Sequence, residues 1–340
     1  MKHLRVLALV REGLVPPESL EGISEKEIAN WKAEFDVIGT LRDMGHTVQP
    51  LGVYDDLTPI KDSMREFKPH IVFMLLEEFH GVVTYDHAVT SYLELNRQHY
   101  TGCNPRGLIL SRDKALSKKI LAYHRIRSPR FALFPRGRSI KRPVKLVFPL
   151  LVKSATEDAS LGISQASIVY NDETLIERVK FMHERLKTDA LVEQYIEGRE
   201  IYVGVTGNTR LQTFRPWEMH FTNMPEDVAR IATARVKWDE NYQKKHGIET
   251  KAAEVTKKEE AEISKICKRV YRALSMSGYA RLDLRMTASG KLYVIEANAN
   301  PNISYGEDFA ESAEISGINY EALLSRIVNL GLRYEAAWKA

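Results

Sequence analysis

The sequence predicts an α/β protein with a Rossmann-like parallel-sheet domain at the amino terminus and two α+β domains after it. Three observations carry that expectation. Short Leu- and Val-rich runs at residues 4–10, 46–53 and 70–76 are separated by longer polar or helical stretches, the βαβ pattern of a parallel sheet. Residues 148–153 (FPLLVK), 165–170 (QASIVY) and 190–205 (ALVEQYIEGREIYVGV) read as strands linked by turns and one helix near 172–187. Residues 279–304 (YARLDLRMTASGKLYVIEANANPNIS) read as an antiparallel hairpin. At 340 residues the chain exceeds one typical core, and we divide it at 1–112, 113–197 and 198–340.

Composition excludes several classes. With 44% apolar and 28% charged residues the chain is of ordinary globular type. Its net charge of +4 is too small to argue for nucleic acid, yet it is compatible with an anionic small substrate. No segment approaches the roughly 18 apolar residues that cross a bilayer. The run Leu4–Val10, broken by Arg5, reads as a buried strand rather than a signal peptide. Cys103 and Cys267 stand far apart without a CxxC partner, which argues against disulfide or zinc and for the cytoplasm.

Each element follows in order. Ser24 and Glu27 form a capping box, Ile28, Trp31, Phe35, Ile38 and Leu41 recur at helical spacing, and Gly45 ends that helix. No GxGxxG follows the first strand, which disfavours a dinucleotide site. His80-Gly81 leaves the third strand where sites in α/β sheets open, so His80 reads either as a contact for carboxylate or phosphate or as a structural histidine. Asp113 caps a basic amphipathic helix over 113–123. Lys114 at its positive end signals a held anion, or else is a solvated lysine. Lys153 closes a strand just before SATEDASLGIS, whose backbone N–H groups suit a polyphosphate, although the loop has one glycine and no Walker signature. Glu193 and Glu200 flank the Gly198 turn, a hinge between the middle and last thirds. Residues 216–253 are charged and poor in periodicity, as a lid or a disordered loop would be. A helix capped by Thr256 and Glu259 leads into the hairpin, and an amphipathic helix over 319–338 closes the chain.

In the hairpin, a four-residue loop at Thr287–Gly290 pairs Met286 with Lys291, sets Arg281 opposite Glu296 and leaves Asp283 diagonal to it. Arg281, Asp283, Glu296 and Asn298 then share one face, and their oxygen donors suit Mg²⁺. An Arg281–Glu296 salt bridge explains the same residues equally well. A loop one residue longer or shorter would put Asp283 and Glu296 on opposite faces.

Taken together, YTGCNPRGLILSRDKALSKKIL, FPLLVKSATEDASLG, VEQYIEGRE and RLDLRM…YVIEANANPN resemble, in order, the signature segments of the ATP-grasp superfamily, in its D-alanine:D-alanine ligase-like branch. The likeness runs from about residue 70 to 335. It implies an ATP-grasp fold and an ATP-dependent carboxylate–amine ligase, acting on amino acids or a small peptide through an acylphosphate. On this likeness Lys114 and Lys153 contact the nucleotide phosphates, and Ser160 belongs to the ATP site. Glu193 takes the adenine amino group, the backbone from Gln194 to Ile196 binds the ring edge, and Glu200 takes the ribose. Asp283, Glu296 and Asn298 hold two Mg²⁺ ions, with Mn²⁺ as an alternative. Arg281 and the Asn302 backbone stabilise developing charge, Lys237 reaches the transferred phosphate, and His80 and Ser304 bind substrate. A homodimer, too, is implied only by the likeness.

The departures concern substrate. The branch's amino-terminal GGxSxExxVS segment is VREGLVPPESLEGISEKE here, with no acid securely matched. Its loop serine is Ala159, its loop glycine Asp158 and its lid tyrosine Trp238. These changes argue against D-Ala plus D-Ala. The other readings are D-alanine:D-alanine ligase with a reorganised first subsite, a non-catalytic ATP-binding regulatory module, and a small-molecule kinase.

Overall fold

The computed structural model describes residues 3–19, 21–157, 162–225 and 228–339. Burial on both faces makes the first strand: in β1 (Arg5–Arg11) the residues from Val6 to Val10 are fully buried, and the strand is central to a parallel sheet. β2 (Thr47–Val53) and β3 (Ile71–Met74) flank it in the order β2-β1-β3. The Ser24–Glu27 capping box is present, but the predicted single helix is two, α1 (Glu25–Asn30) and α2 (Lys32–Asp43). Trp31 leaves helical geometry at φ −129° between them, and Gly45 ends α2 at φ +84°. α3 (Thr58–Glu66) and α4 (Asp86–Leu95) cover the sheet face of Leu7, Leu9, Val72 and Met74. α5 (Pro105–Arg112) and α6 (Lys114–Tyr123) lead out of this region.

The middle portion is an antiparallel sheet in the order β4-β7-β5-β6. Its strands are β4 (Phe131–Phe134), β5 (Leu150–Ser154), β6 (Ile168–Val169) and β7 (Ala190–Gln194), with α7 (Asp172–Phe181) preceding β7. The return strand expected over 165–170 is shorter than its composition suggests, because Gln165–Ser167 form a 3₁₀ turn and β6 pairs only at its two residues. Asp158, Ala159 and Ser160, in the expected phosphate loop, lie outside the described residues.

The last portion is a larger antiparallel sheet built on β8 (Arg199–Thr206), with the short β9 (Gln212–Thr213) beside it. Residues 216–253 are not one long loop. They contain β10 (Trp217–Phe221) and β11 (Ile248–Ala252), paired from Trp217↔Ala252 to Phe221↔Ile248, with α8 (Ala234–Trp238) and α9 (Glu240–His246) between them. The alternating WEMHF and IETKA were the strand signals there. α10 (Lys257–Ala273) carries Ile263, Cys267, Val270 and Tyr271 onto one face of the sheet. β12 (Tyr279–Met286) and β13 (Leu292–Ala299) complete it in the order β11-β10-β8-β12-β13.

The hairpin register differs from the expected one in two ways that cancel. Met286 pairs with Leu292, so the loop is one residue longer than predicted. By itself that would turn Glu296 to the other face. The pairing then jumps from Leu284↔Val294 to Asp283↔Glu296, leaving Ile295 as an extra residue in a β-bulge. The bulge restores the parity: Asp283 lies directly opposite Glu296, and Arg281 opposite Asn298 rather than opposite Glu296.

Two late helices, α11 (Asp308–Ile315) and α12 (Tyr320–Leu332), return to the first sheet. Phe309, Leu323, Leu324, Ile327 and Val328 share a core with Val6, Ala8, Ile71 and Phe73 of the sheet and with Val37, Ile38 and Leu41 of α2. The ends are also locked by close backbone approach. A Cβ on Gly278 would lie 2.3 Å from the Gly102 carbonyl oxygen, and Asn300 Oδ1 accepts from the Cys103 N–H at 2.8 Å. Tyr100-Thr101-Gly102 forms this junction.

Candidate active site

Strand alternation builds one wall of the site. On one face of the large sheet, Glu200, Tyr202 and Gly204 of β8 stand beside Arg285, Asp283 and Arg281 of β12, which in turn stand beside Tyr293, Glu296 and Asn298 of β13. The opposite face, with Ile201, Val203, Leu282, Leu284 and Val294, is apolar and packs on α10. Burial of that face therefore fixes which side the charges take.

The polar face is braced by its own charges. Arg281 donates to both Asp283 oxygens, Nε at 2.8 Å and Nη2 at 3.0 Å, and lies 4.9 Å above the Tyr202 ring. Asn298 Nδ2 donates to Asp283 Oδ2 at 3.0 Å. Burial raises Asp283 above its usual value despite the opposing Arg281 charge, while Asp283 offsets the burial of Arg281 and pushes its guanidinium up. Glu200 accepts from Arg285 Nη2 at 2.5 Å and from the Tyr202 hydroxyl at 3.0 Å.

A second wall is made by α6, β5 and β7. Asp113 caps α6 as expected, its side chain accepting from the Leu116 N–H. Lys114 is not a solvated lysine: only 5% exposed, it lies 2.9 Å from Glu296 Oε1 and donates to the Glu157 carbonyl at 2.8 Å. One turn on, Lys118 is 2.8 Å from Glu193 Oε2 and donates to the carbonyl of the bulged Ile295 at 3.1 Å. Lys153, at the end of β5, is 2.9 Å from Glu193 Oε1. Burial works against charge at Glu193, but Lys118 and Lys153 hold its carboxyl below the ordinary range. Burial likewise opposes charge at Glu296, and Lys114, Lys153 and Lys237 hold it far below that range. Burial lowers Lys118, against the pull of Glu193.

Other expected residues fall into place differently. Lys237 lies in α8 and acts on both Asp283 and Glu296 through its charge, while its neighbour Val236 packs with Tyr202, Trp217 and Met219. Gln194 ends β7, Ile196 is buried just beyond it, and Glu200 lies near the start of β8, so the 195–198 turn does bridge the two sheets. Asn302 Oδ1 accepts from Ser304 N–H at 2.9 Å and from its hydroxyl at 2.6 Å. The next residue, Tyr305, donates its N–H to Asp36 on α2 at 2.9 Å, which ties this loop to the first domain. His80 is exposed, stacks on Tyr54 at 5.8 Å and sits 3.7 Å from Asp55, apart from the carboxylates and lysines above.

Sequence reasoning missed Lys118, Tyr202 and Arg285. Lys118 follows Lys114 by four positions, one helical turn. Arg285 continues the alternation Arg281, Asp283, Arg285. Both signals were present in the residues.

The residues fit a polyanionic nucleotide. Lys114, Lys118 and Lys153 set three buried ammoniums against the two carboxylates of Glu193 and Glu296. Glu193 Oε2 lies 2.8 Å from the Lys118 ammonium, and a carboxylate oxygen has a second lone pair for a further donor. For a divalent metal the donor chemistry is all oxygen, from Asp283, Glu296 and Asn298. Among the described residues no group of three or more His, Cys, Asp or Glu side chains could hold a metal alone, so these donors need phosphate oxygens or water to complete a shell.

Residues 119–329 match the family model described as the D-Ala D-Ala ligase C-terminus. The chain belongs to this family. A D-alanine--D-alanine ligase of Desulforudis audaxviator is 27% identical over 91% of this chain and 95% of its own length. An uncharacterized protein of Sinorhizobium fredii is 30% identical over 77% of this chain and 75% of its own. In fold, the D-alanine--D-alanine ligase of Bacillus anthracis complexed with ATP superposes with a TM-score of 0.75 at 21% identity, covering 97% of this chain and 98% of that one. The fold is thus ATP-grasp, and this family member is an ATP-dependent ligase forming a carbon–nitrogen bond between a carboxylate and an amine. No helix among the described residues is long and apolar enough to cross a membrane.

Proposed function

We propose that the two walls clasp ATP and that the protein activates an amino acid or small-peptide carboxylate as an acylphosphate, which an amine then converts to an amide. The observation that carries this reading is the facing of Lys114, Lys118 and Lys153 against the Arg281, Asp283, Glu296 and Asn298 row. Phosphoryl transfer asks mainly for positioning and charge neutralisation, which lysines and an arginine supply. Lys114 and Lys153 hold phosphates, the Glu193 carboxylate receives the adenine amino group, and the backbone from Gln194 to Ile196 borders the ring. Glu200, already fixed by Arg285 and Tyr202, receives ribose hydroxyls. Mg²⁺ on Asp283, Glu296 and Asn298 would neutralise phosphate charge when bound. Arg281, held in its plane by Asp283 and Tyr202, steadies charge on the reacting carboxyl. Lys237 approaches from the lid.

The substrate pair is not D-Ala with D-Ala. The lid position beside Lys237 is Trp238, the loop serine is Ala159, and no acid replaces the branch's first-subsite glutamate securely. The fold tolerates such change: the VanG enzyme of Enterococcus faecalis, a D-Ala:D-Ser ligase, superposes with a TM-score of 0.68. A phosphate-release screen of D- and L-amino acids, singly and in pairs, with mass detection of products, tests this. Release requiring both a carboxylate and an amine is expected. A stable phosphate ester formed without an amine would make the protein a kinase, and efficient turnover of D-Ala alone would remove the specificity claim.

A further inference from the structure

We infer that Lys118 is a positioning residue: it sets the charge and place of Lys153 through Glu193 and ties that pair to the bulged strand β13. The inference rests on the proposed nucleotide site and assigns a role to a residue that does not face the nucleotide directly. Lys118 is 2% exposed, and its near contacts are both protein groups, Glu193 Oε2 at 2.8 Å and the Ile295 carbonyl at 3.1 Å. One ammonium therefore links three elements, α6, β7 and β13, that belong to the two walls. An ammonium has three N–H donors and no acceptor, so it can satisfy a carboxylate and a carbonyl together.

The consequence lies in how Glu193 divides its charge. Its other oxygen lies 2.9 Å from Lys153 Nζ. With Lys118 present, two ammoniums share one carboxylate, and Lys153 keeps net positive charge for an anion. Without Lys118 the buried carboxylate has Lys153 as its one ammonium partner and neutralises it. The Ile295 carbonyl, exposed by the bulge, also loses the donor that holds β13 against α6. Lys118 thus acts on the nucleotide through Glu193 and Lys153.

The test is a double-mutant cycle read by calorimetric binding of the non-hydrolysable ATP analogue AMP-PNP with Mg²⁺. Lys118→Met is expected to weaken binding at least about tenfold, as expected for loss of one charged partner. In the Glu193→Gln background the same change should cost less than about threefold, because no carboxylate remains to neutralise Lys153. Equal losses in both backgrounds, or wild-type affinity in Lys118→Met, would overturn the inference while leaving the nucleotide site standing. A wild-type protein that does not bind AMP-PNP would instead overturn the site and the inference with it. Should Lys118→Met fail to fold, Lys118→Arg carries the same cycle: it keeps the charge, so a smaller loss that again vanishes with Glu193→Gln is expected, and an additive loss overturns the role.

Discussion

At the scale of single residues, the site is a set of buried charges each held by a named opponent. Asp283 is the most exacting of them, because Arg281 and Asn298 both depend on its oxygens. Asp283→Asn is expected to lower kcat by about 100-fold or more, the usual size for removing one electrostatic element of a phosphoryl-transfer site. Far-UV circular dichroism should be unchanged, and undiminished turnover would remove the metal and phosphate reading. Glu34, on α2, makes a separate prediction. It is 7% exposed, and burial, with Glu77 adding like charge, pushes its carboxyl up to about 7. Its folded value lies above its unfolded one, so the folded state binds the extra proton. Stability is therefore expected to fall as pH rises from about 4.5 to about 7, by an amount on the order of 3 kcal/mol. Glu193 and Glu296 work the other way: their depressed values contribute stability above the ordinary carboxylate range that is lost in acid. Urea unfolding of the protein and of Glu34→Gln across this pH range checks the claim, and identical slopes would refute it.

At the scale of elements, the β-bulge at Ile295 is what makes the hairpin a site. The loop is one residue longer than its composition suggests, and the extra residue in β13 compensates. Deleting Ile295 is expected to leave Glu296 opposite Asp283, since Val294 and Glu296 would then alternate regularly, and to weaken AMP-PNP binding by removing the carbonyl that Lys118 holds. Deleting Ser289, in the exposed loop, should leave the strand parity and the binding intact. If both deletions bind alike, the bulged carbonyl does not support the site. The capping boxes at Ser24 and Thr256, the Asp113 cap and the three parallel strands were legible because each is a local pattern. The bulge was not, since the Ile295 carbonyl and the Val294 N–H meet Lys118 and Arg127, which are distant in sequence, and the break at Trp31 has no local signal in the residues.

At the scale of the molecule, the chain closes on itself. α11 and α12 supply Phe309, Leu323, Leu324, Ile327 and Val328 to the core of the first sheet. A fragment ending at Arg112, the boundary suggested by the sequence, leaves that sheet face covered by α2 alone. It is expected to lack cooperative thermal unfolding and to bind a hydrophobic dye, whereas co-expression with residues 303–340 should restore order. Cooperative unfolding of the fragment alone would show that the first domain is independent. The return of α12 was not legible as such, because an amphipathic helix announces a buried face without naming what buries it.

Sequence by itself determined the element types outside residues 216–253, the order of the charged segments and the family likeness, because caps, periodicity and turn residues act over a few positions. Even the Lys114–Lys118 spacing and the Arg281-Asp283-Arg285 alternation were present in it. The tertiary structure alone decided that Lys114 is buried against Glu296, that Glu193 is shared by two lysines, and that Asp283 faces Glu296 across a bulge. Those outcomes depend on which distant groups meet in a medium of low polarity. There an unpaired charge is too costly to persist, and each carboxylate takes whichever cation the fold brings to it.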